Sequence, residues 1–154
     1  MRSKGPSWRY LGAMRSGSVI EHDAPYVSVT ADTAEGILII QWKNYAPSGT
    51  YRATLEMAYE LIVQHKLRYF LTDQRRRGAI LHEDEVWLVN DWAPRMAKAG
   101  LQRAAVVQSA DFFNRTTVER FVRTVLPTVD YPIVNFQTLE EAQAWLMQPN
   151  EMLV

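Results

Sequence analysis

Residues 36–73 read GILIIQWKNYAPSGTYRATLEMAYELIVQHKLRYFLTD, and the change of period inside this stretch decides the fold. Gly36-Ile37-Leu38-Ile39-Ile40-Gln41-Trp42 is a β-rich apolar run. Asn44 to Gly49, with Pro47 and Ser48, breaks it. From Thr50 the apolar period becomes helical. Leu55, Ala58, Tyr59 and Ile62 fall at i, i+3, i+4 and i+7, with Arg52, Glu56, Glu60 and Gln64 on the other face. The helix is predicted to reach about Lys66, with Arg52 and Glu56 paired along it. Tyr69-Phe70-Leu71-Thr72 then reads as a short buried strand ending at Asp73.

Upstream, Tyr26-Val27-Ser28-Val29-Thr30 alternates with period two, and Asp32 and Gly36 supply turn chemistry, so an antiparallel hairpin is expected. Residues 1–24 show no period and read as a flexible tail, in which only Trp8, Tyr10 and Leu11 look able to pack. Downstream, a second helix starts near His82. Glu83, Asp84 and Glu85 occupy its first turn, where the helix dipole suits them. Val86, Val89 (or Asn90), Ala93 and Ala97 are its predicted inward stripe; Pro94 should kink it or open a second helix, and Gly100 stops it. Ala104-Ala105-Val106-Val107 is a central strand without polar interruption. Asp111 caps a helix whose inward residues are Val118, Phe121, Val122 and Val125, and Pro127 ends it. Tyr131 to Phe136 is the last strand. Thr138 and Glu141 have capping-box spacing ahead of a final helix with Leu139, Ala142, Trp145 and Leu146 inward.

The resulting order, β-β-α-β-α-β-α-β-α, predicts one α/β domain over residues 25–148, with a mixed, mostly parallel five-stranded sheet and four main helices. Residues 149–154 are read as a short C-terminal tail. The 17 basic residues balance 17 acidic ones, which argues against a dedicated nucleic-acid binder. Cysteine is absent, so disulfides, thiolate metal sites and a cysteine nucleophile are excluded. No apolar stretch is long enough to span a bilayer, so a cytoplasmic protein with no integral membrane segment is expected.

Several stretches carry a family resemblance. They are Tyr51-Arg52, Leu55-Glu56, Ala58, Asp73, Glu83-Asp84-Glu85, Trp87, Asp91-Trp92, Pro94-Arg95, Ala105-Val106-Val107, Val118-Glu119-Arg120, Leu139-Glu140-Glu141-Ala142 and Trp145-Leu146. Over about residues 26 to 147 the chain resembles the bacterial STAS/SpoIIAA-like proteins. The resemblance implies a four-helix, mixed-sheet regulatory or interaction domain. The resemblance further implies a relationship to anti-sigma-factor antagonists and a shape similar to lipid carriers of the CRAL-TRIO type. The family's switch members carry a phosphorylatable Ser or Thr at the helix after the third strand. Here no hydroxyl residue occurs between Asp73 and Asp91, so the phospho-switch is expected to be absent.

Direct signals of chemistry are sparse. The histidines at 22, 65 and 82 stand in no metal-ligand spacing, and no Gly-rich phosphate loop follows a strand. Asp73 and Asp84 could pose as an acid/base pair, yet Asp73 is better read as capping its loop or pairing with Arg75, Arg76 or Arg77. No catalytic residue, metal or cofactor is therefore predicted. The Arg75-Arg76-Arg77 run is the sharpest charge feature. It reads as a solvated loop balancing Glu83 to Glu85, or else as a grip for a phosphate, a headgroup or an acidic partner. Trp87 and Trp92 are five apart, about 140° around a helix, so they should not both face the core. One of them, or Phe112 or Phe113, is expected at the surface. Asp91 and Arg95 stand at helical pairing distance.

The candidate ligand- or partner-binding set is thus Asp73, Arg75, Arg76, Arg77, Trp87, Asp91, Trp92 and Arg95. The first expectation is a non-enzymatic interaction module, a homodimer using the Trp87/Trp92 face. The second is a binder of a small apolar or amphiphilic ligand under the second helix, with an anionic group near Arg75 to Arg77.

Overall fold

The computed structural model describes residues 19–149. Its sheet has six strands in the order in which they occur along the chain: β1 (Val19–Asp23), β2 (Val27–Asp32), β3 (Ile37–Trp42), β4 (Tyr69–Asp73), β5 (Arg103–Val107) and β6 (Ile133–Phe136). β1, β2 and β3 pair antiparallel; β3 to β6 are parallel. The expected hairpin forms with Val29 opposite Ile40. Asp32 makes its turn by accepting the backbone N–H groups of Ala34 and Glu35, and Gly36 closes it at φ +74°.

The strand count needs correction, because Val19–Asp23, assigned to the tail, is an edge strand paired with β2. Four of its five residues are exposed, so it is held by the ladder rather than by burial. The rest of the expected tails, residues 1–18 and 150–154, lies outside the described residues.

Three crossovers join β3 to β6. The first is α1 (Ser48–His65). The second is α2 (His82–Trp87), continued by a π turn over Leu88–Trp92 and by α3 (Ala93–Met96). The third is α4 (Phe112–Val125), followed by a short 3-10 turn. Right-handed crossovers between successive neighbours in a sheet all fall on the same face. That face carries Leu38, Ile40, Trp42, Phe70 and Ala104, packed against Leu55, Ala58 and Ile62 of α1 and Trp92 and Met96 of the second crossover. α5 (Leu139–Leu146) covers the opposite face, where Leu139, Ala142 and Leu146 meet Ile37, Ile39, Leu71, Ala105 and Val107. Arg103, buried at the start of β5, donates to the carbonyls of Trp145 and Leu146 and ties down the end of α5.

Both expected N-caps are present. Asp111 accepts the N–H of Asn114, and Thr138 accepts that of Glu141 while its hydroxyl meets the Glu141 carboxylate. Pro94 sits in the first turn of α3, just after the π turn, where its missing N–H does no harm. Gly100, at φ +92°, lets the chain turn into β5. Among the described residues no helix is long and apolar enough to cross a membrane.

The second crossover is rotated relative to the stripe read from sequence. Val86 is exposed, whereas Leu88, Trp92, Ala93 and Met96 are buried. The cause is two acidic residues turned inward. Asp84 receives Arg52 Nε at 2.8 Å and the Ser48 hydroxyl at 2.6 Å, while Glu85 receives Arg120 through two hydrogen bonds of 2.7 and 2.8 Å. Arg120 holds the Glu85 carboxyl below its ordinary range. The expected Arg52–Glu56 pair is therefore not made: Arg52 goes to Asp84, and Glu56 binds Arg95 at 2.6 and 3.2 Å.

Candidate functional site

The C-terminal ends of β3, β4 and β5 form the edge where open α/β sheets place their ligands. β3 brings Gln41 and Trp42 there, and β4 brings Thr72 and Asp73. The loop after β4 is fastened from both sides. Gln74 N–H bonds the Val107 carbonyl, Ser109 Oγ donates to Arg77 O at 2.7 Å, and Asn114 Nδ2 donates to Gly78 O and Gln74 Oε1. These ties decide where three consecutive arginines point.

Arg75 folds back on Asp73, donating from Nε at 2.9 Å and from Nη2 at 2.6 Å. That hydrogen bond raises the Arg75 pKa, with the Asp73 charge adding to it. Arg76 is exposed. With Gln41, Trp42 and Asp73, the two arginines line a small polar cleft of about 100 Å³. Arg77 departs from the solvated-loop reading and turns inward, only 1% exposed. Its guanidinium lies over Tyr51 at 4.4 Å, Trp42 at 5.1 Å and Tyr45 at 5.4 Å, measured to ring centroids. The hydrogen bond it makes, to Ala46 O, is long at 3.5 Å, and its Nε has no partner. Burial lowers its pKa, and no carboxylate among the described residues approaches within ion-pair distance. The Trp42 indole N–H and Asp84 Oδ2 are also buried without partners. Polar atoms in that state forfeit about 1–3 kcal/mol each unless water or a ligand meets them.

The same two rings, Trp42 and Tyr51, wall an apolar cavity of about 90 Å³ between the helix layer and the sheet. Leu55 of α1, Leu88 and Trp92 of the π turn, Ala93 and Met96 of α3, and Thr117, Val118, Phe121, Val122 and Val125 of α4 form its roof. Phe70, Thr72, Ala104, Val106 and Ile133 form its floor. The cavity has two ends. Gln74, Thr72 and Thr117 stand at the sheet's C-terminal edge, while Leu101, Ala104 and Tyr131 stand near the opposite edge. At the lower end, burial pushes the Tyr131 phenol up to about 12. The π turn matters to this void. An i→i+5 turn inserts a residue relative to an α-helix, and such turns recur at functional sites. Here it lets Trp92 reach inward, with its indole donating to Leu55 O at 2.9 Å.

The residues expected at the site therefore separate. Asp73, Arg75 and Arg76 line the polar cleft, and Arg77 sits behind the cavity wall. Trp92 is a roof residue at 6% exposure, which removes it from any docking face. Trp87 is half-buried under Arg52, 5.3 Å from its ring. Asp91 and Arg95 are apart from both: Arg95 joins Asp91 at 3.5 Å and Glu56, lying over Tyr59. Asp73 and Asp84, posed as an acid/base pair, are each neutralised by their own guanidinium. Sequence reasoning missed Trp42, Tyr51, Tyr45, Gln74 and Asn114. Asn114, fully buried, had one visible signal: it stands three residues after the helix cap Asp111. Surface aromatics are found where one was expected, with Phe112 and Phe113 63% and 68% exposed and stacked edge to face. No family model, no curated protein and no solved structure matches this chain.

Proposed function

We propose that this chain is a non-enzymatic binding domain on a STAS/SpoIIAA-like scaffold, holding a small apolar molecule in the cavity beneath the π turn. The cavity carries the reading. Native interiors pack to crystal density, so a void of about 90 Å³ lined by apolar side chains is an unused volume that a ligand can fill. Size limits the occupant. An apolar cavity of roughly 150 Å³ takes benzene, so 90 Å³ accommodates about four carbons, not a lipid's full acyl chain. Support for the scaffold is the sequential sheet order with its crossover helices on one face, together with the sequence resemblance.

Xenon is the direct probe, because it reports an apolar void without demanding a headgroup. In ¹H–¹⁵N spectra under xenon pressure, saturable shifts are expected at Trp42, Trp92 and Ala104, with Trp145, on the α5 side, unmoved. Shifts that rise linearly and are spread over the surface would refute the cavity.

A protein-interaction role, with a homodimer as its simplest form, is favoured by a separate observation. The adjacent Phe112 and Phe113 expose most of their surface at the start of α4. Sedimentation velocity tests it: Phe112→Ser with Phe113→Ser should convert a concentration-dependent dimer to monomer. A dimer that survives the double substitution removes this face from consideration.

A further inference from the structure

We propose that the occupant of the cavity is an anion-headed short chain, a carboxylate on about two carbons, oriented by the buried charge of Arg77 with its head toward Trp42 and Tyr51. This rests on the cavity reading above and adds the chemistry of the head. The case begins with the local sum of charge. Asp84 and Arg52 neutralise one another, as do Asp73 and Arg75. Arg77 has no ion-pair partner among the described residues; three aromatic faces hold it, and the Asp84 charge acts on it only from beyond ion-pair distance. Two of those faces, Trp42 and Tyr51, are also walls of the cavity, so the charge lies behind a single layer of rings.

A cation in that position acts on whatever occupies the polar end. Ring carbons screen poorly, and interactions of unit charges under such conditions change binding by on the order of ten-fold or more. Two further groups at that end lack partners. The Trp42 indole N–H is an unused donor beside the cavity wall, and Arg77 Nε is an unused donor behind it. Asp84 Oδ2, Gln41 Oε1 and Asn114 Oδ1 are unpartnered acceptors in the neighbourhood, but those residues do not line the cavity; Trp42 does, and its donor suits an acceptor-only headgroup and opposes an ammonium. The other end carries no charge: Leu101, Ala104, Met96 and Ile133 are apolar, and the Tyr131 phenol among them is a neutral dipole.

The test uses the wild-type protein and three ligands of one chain length: propanoate, 1-propanol and propylammonium. Titrations followed by the Trp42 indole resonance should rank them with propanoate at least ten-fold tighter than propanol, and propylammonium weakest. The Arg77→Met protein should bring propanoate and propanol to within about three-fold of each other while xenon still binds. Should Arg77→Met not fold, the wild-type ranking alone decides. Equal affinity for acid and alcohol in the wild type overturns the anionic head and leaves the cavity reading standing. Failure of xenon and of all three ligands overturns the cavity reading itself.

Discussion

Ala104 and Ala105 are neighbours on β5 that face opposite sides of the sheet, and they should respond oppositely to enlargement. Ala104 belongs to the floor of the cavity; Ala105 is fully buried against α5, where Ala142 and Leu146 are also fully buried. Ala104→Ile adds three carbons to a void of about 90 Å³. Cavity cost at about 24 cal/mol per Å³ makes the empty space worth about 2 kcal/mol, and burial of three methylenes gives a similar figure. These are two routes to the same energy and do not add. Subtracting strain from an imperfect fit leaves about 1 kcal/mol of net stabilisation, and isoleucine suits a strand. Ala105 borders the cavity as well, but its side chain lies on the α5 side of the sheet, so Ala105→Ile has no void to enter and should cost about 1–3 kcal/mol. For a domain of this size 1 kcal/mol moves Tm by roughly 2–4 °C, so the two variants should differ by about 4–16 °C in a thermal melt followed by circular dichroism. Ala104→Ile should also abolish the xenon response. Equal destabilisation by both substitutions would mean that the β5 floor is already filled and that the argument from cavity volume is wrong.

Arg77→Met should leave stability within about 1 kcal/mol of wild type in urea unfolding, because the buried cation is poorly satisfied and methionine replaces its packing. Arg103→Met, which strands the Trp145 and Leu146 carbonyls, should cost several kcal/mol in the same assay. Asp111→Ala removes the cap of α4 and should lower stability by about 1 kcal/mol. Glu85 has a folded pKa below its ordinary 4.5, so its ion pair with Arg120 stabilises above that value and is lost as pH falls through the folded one. Arg120→Gln should therefore flatten the decline of Tm between roughly pH 5 and 3; an unchanged slope would show that the pair contributes nothing measurable.

Much of the architecture was legible because burial writes a period. The change from Ile37–Trp42 to the Leu55, Ala58, Ile62 stripe announces a strand followed by a helix, and both N-caps could be read from single residues. β1 left no such mark. Its side chains are mostly exposed, so its stabilising interactions are backbone bonds that any sequence can make. The rotation of α2 was hidden for a different reason. Asp84 and Glu85 look like surface acids until Arg52 and Arg120, more than thirty residues away in either direction, arrive to neutralise them. Likewise three identical arginines carry no local difference that says which will be buried. The choice is made by Ser109 and Asn114, which tie the loop from another crossover. A cavity is harder still, since it consists of residues that stop short of one another.

The void and the buried cation are separate costs, and their coincidence is the strongest argument for a ligand. An empty 90 Å³ cavity forfeits about 2 kcal/mol, and each unpartnered donor at Trp42 and Arg77 adds to that loss. Both deficits meet at the same two rings, Trp42 and Tyr51. A domain with only several kcal/mol of net stability carries such a concentration of loss at a cost. A molecule that fills the void recovers the first deficit, and one whose head is negative offsets the second. Linkage turns this into a measurable quantity: at a ligand concentration one hundred times Kd the folded state gains about 2.7 kcal/mol, a rise in Tm of roughly 5–11 °C. Propanoate should produce that rise in the wild type at a lower concentration than propanol, and neither should produce it in Ala104→Ile, whose cavity is already occupied by its own side chain. A full rise with Ala104→Ile would place the ligand elsewhere on the molecule, and would separate the buried arginine from the void beside it.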